Sequence, residues 1–156
     1  MKSKWLFFSI LSLLLVIPFR LDAQNMQRVL TLDDAKQIIE AAEERANQDE
    51  WTVAIAVLDA GGNLIAFQRI DGTQTGSIDF AIKKAKSAIL YQRPTKAFED
   101  AMNSGNNRIL GLEGAVPFEG GIPIEHDGAV IGAIGVSGVT AQQDGMIARA
   151  GLSALR

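Results

Sequence analysis

Residues 120–144 constrain the fold more than any other part of the chain. They read GGIPIEHDGAVIGAIGVSGVTAQQD. Two apolar runs flank the turn at His126–Gly128, a pattern typical of a β-hairpin. The second run ends at Ser137, and Thr140 with Gln143 then forms the capping-box pattern that begins a helix. We therefore predict a hairpin, a buried strand and a strand-to-helix corner in this segment, with the rest of the chain packed around them.

The N-terminal residues have the pattern of a secretory signal peptide. Two lysines precede the apolar run Trp5–Ile17, which is shorter than the roughly 20 residues that a membrane span requires. The small Ala23 offers a cleavage position. The alternative is an uncleaved membrane anchor. We expect removal of residues 1–23, which leaves residues 24–156 as a single domain that is periplasmic or secreted.

Composition excludes several classes of function. The formal net charge is −3, and removal of the lysine-bearing N-terminus would make the chain more acidic. An acidic chain without a basic run does not suit nucleic acids or anionic membrane surfaces. The chain has no cysteine, which excludes disulfides, thiolate catalysis and the usual structural zinc sites.

Apolar periodicity places helices and hairpins along the remaining chain. Thr31 and Asp34 form a capping-box pattern before the first helix, and Ser77 and Thr95 are predicted to cap the second and third. Because hairpins dominate, the fold class is α+β with a largely antiparallel sheet. The predicted helices cover about 32–47, 78–91, 96–103 and 141–155; the predicted strands cover about 51–59 and 63–69, a short edge strand at 115–118, and the hairpin described above.

The two strongest predicted strands each have one face of small residues. Thr52, Ala54 and Ala56 share one such face, and Ala133 and Gly135 share another. A small face lets a neighbour approach the backbone closely. The neighbour is either a packed helix, which is the commoner case, or a flat ligand.

A serine–histidine nucleophile is not supported. Ser137 and His126 lie at opposite ends of one predicted strand, roughly 30 Å apart at about 3.3 Å per residue. Ser137 instead suits a corner residue whose hydroxyl binds backbone groups. His126, the single histidine of the chain, is either an exposed turn residue or an axial ligand.

The end of the first hairpin offers a possible anion site. Arg69 and Asp71 precede a glycine-rich loop and the start of the second helix, which carries Lys84. Lys84 is predicted to lie mainly off the buried stripe of that helix. A carboxylate-bearing ligand could meet both cations and free backbone N–H groups there. The alternative is a surface ion pair of little energy. Asp144, in the first turn of the last helix, is explained by the helix dipole alone.

Several segments between Leu30 and Leu155 match one family in order and spacing. They are 30–32, 54–62, 69–72, 84–88, 93–95, 120–124, 132–138, 143–144 and 148–151. Together they resemble the GlcG/HbpS-like family of heme-binding proteins, which is related to the C-terminal domain of PduO-type cobalamin adenosyltransferases. The resemblance implies a profilin-like α/β/α fold with a five-stranded antiparallel sheet, often assembled into homo-oligomers.

The resemblance also implies small-molecule binding, with heme or a related tetrapyrrole as the ligand. The iron would use His126, Tyr91, a methionine or an oxygen donor such as Thr95. The candidate cofactor-binding residues are Arg69, Asp71, Lys84, Thr95 and Ser137, and His126 is the candidate heme axial ligand.

Two other functions stay open. The first is a lyase or isomerase acting on a small carboxylate-bearing molecule, such as an aromatic or 2-hydroxy acid. Arg69 or Lys84 would hold the carboxylate, and Asp71 or Asp144 would carry the proton. The second is an oligomeric interaction module that binds no small ligand.

Overall fold

Helices and strands follow the predicted order along the chain. The computed structural model describes residues 28–155, so the predicted signal peptide at 1–23 lies outside the described residues. The elements are α1 (Leu32–Gln48), β1 (Ala54–Asp59), β2 (Leu64–Arg69), α2 (Gly76–Tyr91), α3 (Lys96–Asn103), β3 (Gly121–His126), β4 (Ala129–Ser137) and α4 (Ala141–Leu152), with short 3-10 turns at Asn107–Gly111 and Ser153–Leu155.

The strands form one antiparallel sheet in the order β2-β1-β4-β3. The two hairpins therefore lie side by side, joined through the central pair β1 and β4. In that pair Ala54 lies opposite Ser137, and Asp59 lies opposite Gly132. Both hairpin turns consequently lie at the same end of the sheet. The α+β class and the antiparallel sheet are confirmed.

The prediction of five strands is wrong for the described residues, where the sheet has four. Residues 115–118 do not form the predicted edge strand. Side chains bind the backbone here instead: the Val116 amide donates to Ser87 Oγ at 3.0 Å, and the amide of Glu119, just after this segment, donates to Glu99. Pro117 has no amide hydrogen to offer, so this segment cannot supply a regular ladder of hydrogen bonds.

Two of the four predicted helix caps are confirmed. Thr31 and Thr140 both form capping boxes, with Asp34 and Gln143 as their partners. The cap predicted at Ser77 is wrong, because α2 begins one residue earlier and its N-cap residue is Thr75. Thr95 is the N-cap residue of α3 as predicted, but its side chain makes no capping hydrogen bond.

The two faces of the sheet carry different cores. Val53, Ile55 and Val57 pack with residues of α1 and α4 on one face. Ala54 and Ala56 pack against α2 on the other face. A helix therefore occupies the small-residue face, as the commoner of the two interpretations predicted.

The approach of α2 to the sheet depends on two glycines. A Cβ atom on Gly135 would overlap the carbonyl oxygen of Ala81, and one on Gly121 would overlap that of Lys84. These carbonyls belong to the α2 backbone, so any larger residue would push the helix away from the sheet. The glycines of β3 and β4 thus set the position of Lys84.

Candidate functional site

A buried ion pair joins α2 to α4. Lys84 Nζ lies 2.7 Å from Asp144 Oδ2, and the two side chains are only 1% and 3% exposed. Lys84 follows Ala81 by three residues, so both point toward the sheet. The prediction that Lys84 lies mainly off the buried stripe of this helix is therefore wrong. Gly120 leaves the space that the ammonium group fills.

Burial shifts both members of this pair toward their neutral forms. It raises the pKa of Asp144 to about 6, although the Lys84 ammonium and backbone donors oppose the shift. One of these donors is the Val139 amide, which reaches Asp144 Oδ1 at 3.2 Å. Burial also lowers the pKa of Lys84, with Asp144 opposing. Buried ionisable pairs whose pKa values are shifted in this way are candidates for a functional site.

A second acidic group borders the pair. Glu119 is 6% exposed, and its carboxylate accepts a hydrogen bond from Arg149 Nη1 at 2.5 Å. Gly145 makes room for it, because a Cβ there would overlap the Glu119 carboxylate. The carboxylates of Glu99 and Glu119 favour the charged form of Lys84 and so oppose the lowering of its pKa by burial.

Two aromatic rings lie on the outer side of this cluster. The Phe80 ring centroid is 5.3 Å from Lys84 Nζ, within the range of a cation–π contact. Phe118 packs edge-on against Phe80 at 5.5 Å and is half exposed. We call Lys84, Asp144, Glu119, Phe80 and Phe118 the buried charge cluster.

The predicted anion site does not bring its two cations to a common partner. Arg69 donates from its guanidinium to the Thr73 carbonyl, at 2.6 Å from Nη2, whereas Lys84 is paired with Asp144. Asp71 lies exposed in the turn. Ser137 is buried beside Ala54, in the same row of the sheet as Arg69.

Thr95 and His126 lie toward opposite ends of β3. Thr95 is fully buried and pairs with Gly121: its amide donates to the Gly121 carbonyl, and its hydroxyl accepts from the Gly121 amide at 3.0 Å. His126 ends the same strand, roughly 16 Å from Gly121. Its side chain is 41% exposed, and its Nε2 atom lies 3.4 Å from Oδ2 of Asp127. Within residues 28–155 no cluster of three or more His, Asp or Glu side chains could hold a metal ion.

An open groove lies between the β1–β2 turn and the C-terminal half of α2. It encloses about 520 Å³ and is lined by Ala60, Gly61, Gly62, Asn63, Lys86, Ile89 and Leu90. We call it the turn groove. Leu90 is 62% exposed, which leaves a large apolar side chain on its wall. The groove thus combines glycine backbone, two aliphatic side chains and one cation.

Sequence reasoning missed Glu119, Phe80, Phe118 and the turn groove. For Lys84 a signal was present, since its spacing from Ala81 and Ala88 places it on the apolar stripe. No comparable signal exists for Glu119, because its burial depends on the glycine at 145. The groove also depends on how a hairpin turn meets a helix in space.

The comparisons with known proteins agree with this architecture. The family model for the haem degrading protein HbpS-like family matches residues 30–153. The chain belongs to the HbpS-like family. This confirms the resemblance found in the sequence.

The relatives of this HbpS-like chain include proteins of known structure. It is 38% identical to Protein GlcG of Escherichia coli K12 over 109 residues, which cover 70% of this chain and 81% of GlcG. A double mutant of HbpS from Streptomyces reticuli superposes with a TM-score of 0.77 at 30% identity, covering 90% of this chain and 96% of HbpS.

A second solved structure is a complex with heme. The PduOC:heme complex superposes with a TM-score of 0.74 at 30% identity, covering 81% of this chain and 95% of PduOC.

No helix within residues 28–155 reaches the length and apolarity that a membrane crossing would need.

Proposed function

We propose that this HbpS-like protein binds heme or a related tetrapyrrole. The observation that carries the proposal is the similarity to the heme-bound PduOC domain, which extends over nearly all of that domain. Membership in the HbpS-like family supports the same ligand class. The composition of the chain is consistent with a small-molecule ligand, since it does not suit nucleic acids.

The turn groove has the chemistry that the macrocycle needs. Gly61 and Gly62 present backbone without side chains, so a flat ring can approach closely. Ile89 and Leu90 offer apolar contact to the ring. Lys86 offers a cation to a propionate carboxylate. These residues would hold the macrocycle, and bound heme would supply an iron centre.

The lining of this groove does not supply the iron ligand. It contains no histidine, methionine or tyrosine, which are common axial ligands of heme iron. His126 lies on the hairpin tip at the same end of the sheet, outside the lining. We propose His126 as the axial ligand, contributed from a neighbouring copy if the macrocycle lies in the turn groove. Arg69, Asp71, Lys84, Thr95 and Ser137 stay predictions as cofactor contacts.

The direct test is a titration of the purified protein with hemin, followed in the Soret band. We expect a saturable shift with one heme per chain. Lys86→Glu should weaken binding about fivefold or more, because it removes a cation and adds a repelling charge near the propionates. His126→Ala should change the position of the Soret band if His126 ligates the iron.

Lys83→Glu is the matched control for the groove variant. It makes the same charge change on an exposed position of α2 that does not line the groove. An unsaturable titration of the wild-type protein would contradict heme binding. It would favour the alternative of an interaction module without a small ligand.

A second candidate function rests on the buried charge cluster. The cluster contains a lysine–carboxylate pair with shifted pKa values, and two phenylalanines lie on its outer side. Such a site is suited to proton transfer on a small aromatic or 2-hydroxy acid. In a lyase or isomerase of this kind, Lys84 or Arg69 would bind the substrate carboxylate and Asp144 would carry the proton.

Thermal-shift screening with aromatic and 2-hydroxy acids tests this second candidate. We expect at least one acid to raise the melting temperature of the wild-type protein, with Phe118→Ala changing that shift. Phe118 is half exposed, so this variant should keep the fold. The absence of stabilisation by any acid would count against enzymatic use of the cluster.

We also propose that the protein is exported to the periplasm or secreted. The support is the lysine-plus-apolar pattern of residues 1–23. Intact-mass measurement of the protein from its native host should find a chain that begins at Gln24. A chain that retains Met1–Ala23 would contradict cleavage.

A further inference from the structure

Lys84 differs in its surroundings from the other lysines that the structure describes. It is 1% exposed, whereas the lysines at positions 36, 83, 86 and 96 are all exposed. Its ammonium group lies 2.7 Å from the Asp144 carboxylate and 5.3 Å from the centroid of the Phe80 ring. Desolvation of this kind favours the neutral amine, which is the form in which a lysine acts as a nucleophile.

The proton on the Lys84 nitrogen has an acceptor in direct contact. Lys84 Nζ donates a hydrogen bond to Asp144 Oδ2. Burial lowers the pKa of Lys84 and raises that of Asp144 to about 6. Moving the proton from the amine to the carboxylate therefore costs less free energy here than it would in water. The transfer leaves a neutral amine beside a carboxylic acid, which can return the proton to a reacting group.

The outer side of the cluster is closed by an aromatic side chain that can turn aside. Phe118 packs edge-on against Phe80 and is 51% exposed, so turning its ring outward uncovers little buried surface. Residues 112–120 form neither a helix nor a strand. Gly120 follows two residues after Phe118 with a φ of 129°, which favours glycine. Rotation of the Phe118 ring would admit a small planar molecule to the Lys84 amine.

The groups around the amine suit a carbonyl carbon that carries an aromatic ring. A desolvated lysine forms imines with carbonyl compounds. The rings of Phe80 and Phe118 offer edge and face contacts to an aromatic substituent. Loss of water during imine formation needs an acid, and protonated Asp144 is in place for it. Glu119 is 6% exposed, and its carboxylate favours positive charge on the nitrogen.

We propose that Lys84 is a nucleophile that captures an aromatic aldehyde as an imine. The proposal rests on the buried charge cluster being a ligand site, as in the second candidate function above, and it is independent of heme. It gives Lys84 a covalent role in place of the electrostatic one.

Asp144 carries the protons that this reaction moves. The ammonium group first gives a proton to Asp144, and the neutral amine forms a bond to the carbonyl carbon. The carbonyl π electrons move to the oxygen, which takes that proton from Asp144. A second proton then passes from the nitrogen through Asp144 to the same oxygen, and water leaves. The product is a protonated imine that is paired with the Asp144 carboxylate, so the total charge is unchanged.

Reductive trapping tests this proposal on the purified protein. Benzaldehyde is the probe, and sodium cyanoborohydride transfers hydride to the imine carbon, which leaves a stable benzylamine. Intact mass and peptide mapping locate the added benzyl groups. We expect Lys84 to be labelled about tenfold or more faster than Lys83 and Lys86. These two exposed lysines of the same helix are the matched controls within each sample.

Phe118→Ala tests the route to the amine. It should raise the rate of labelling at Lys84 about threefold or more, because it removes the side chain that closes the cluster. The rates at Lys83 and Lys86 should stay as in the wild type, and circular dichroism should show an unchanged fold. Labelling at Lys84 that is no faster than at the two controls would overturn the proposal. So would a Phe118→Ala variant that raises all three rates equally.

The labelling experiment gives a result that the tests of the proposed functions do not. Selective labelling of Lys84 in a protein that neither hemin nor any acid stabilises would support the imine and contradict both other ligands. A saturable hemin titration, or stabilisation by an acid, together with an unlabelled Lys84 would overturn the imine alone.

Discussion

Lys84 shows how a charged residue is accommodated between a helix and a sheet. Its backbone carbonyl lies against Gly121, its ammonium group fills the space beside Gly120, and its charge is paired with Asp144. Desolvation of such a pair costs about as much as its attraction returns. The pair therefore contributes little net stability, but leaving either charge alone is expensive.

We predict that Lys84→Met destabilises the protein by about 3 kcal/mol at pH 7, because it leaves the Asp144 carboxyl buried without its cation. Adding Asp144→Asn to this variant should recover most of the loss, since the stranded carboxyl is then replaced by a neutral amide. Urea unfolding of the wild type, the single variant and the double variant measures both effects.

The exposed pair Lys96–Asp100 provides the control for this comparison. It has a similar distance of 2.6 Å, but its side chains are 50% and 60% exposed. Lys96→Met should therefore cost much less stability than Lys84→Met. If the double variant were no more stable than Lys84→Met alone, the pairing of Lys84 and Asp144 would not explain the loss.

At the scale of elements, the position of α2 is set by the glycines beneath it. We predict that Gly135→Ala destabilises the protein by about 2–4 kcal/mol, because the new methyl group would overlap the Ala81 carbonyl and the backbone cannot yield locally. Denaturant unfolding measures the change, and the signals of residues in α2 should shift in an NMR spectrum.

Gly76→Ala is the matched substitution at an open position. Nothing lies within 4 Å of a Cβ built there, and the residue begins α2. Alanine should leave stability unchanged or raise it by about 0.5 kcal/mol. Equal costs at Gly76 and Gly135 would mean that close packing under α2 is not the cause.

Elements with strong periodicity could be predicted from the sequence, whereas those held by distant side chains could not. The alternation along β1 correctly predicted a face of small residues at Ala54 and Ala56, and α2 covers that face. The strand predicted at residues 115–118 was wrong because side chains distant in the chain bind the amides there. Ser87 binds the amide of Val116, and Glu99 binds that of Glu119. The same limit applies to the site: spacing could place Lys84 on the buried stripe, but nothing local pairs it with Asp144.

At the scale of the whole molecule, the shifted pKa of Asp144 couples folding to pH. The folded-state pKa of about 6 exceeds the ordinary value of 3.8. The protonated carboxyl of Asp144 therefore stabilises the folded protein. This stabilisation is fully present below about pH 4 and is lost as the pH rises through about 6. We predict that the free energy of unfolding falls by about 1–3 kcal/mol from this group between pH 4 and 7.

Comparison with the double variant Lys84→Met/Asp144→Asn isolates the contribution of the pair, because neither methionine nor asparagine titrates. The wild type should lose stability relative to the variant as the pH rises, and the loss should be complete by about pH 7. Urea unfolding at intervals of half a pH unit measures the difference. A difference that is constant with pH, or one that grows in favour of the wild type, would contradict a raised pKa.

The turn groove, the site proposed for the macrocycle, has one wall whose sequence can be varied. One of its walls is the β1–β2 turn, where Gly62 has a positive φ of 78° that favours glycine. The neighbouring turn positions belong to neither buried core. Hairpin turns accept changes of sequence and length more readily than sheets do. A library that varies residue 60 could therefore change this wall of the groove. Gly61 and Asn63 should be kept, because a Cβ at Gly61 would crowd the Asn63 side chain, which donates to the Asp59 carboxylate.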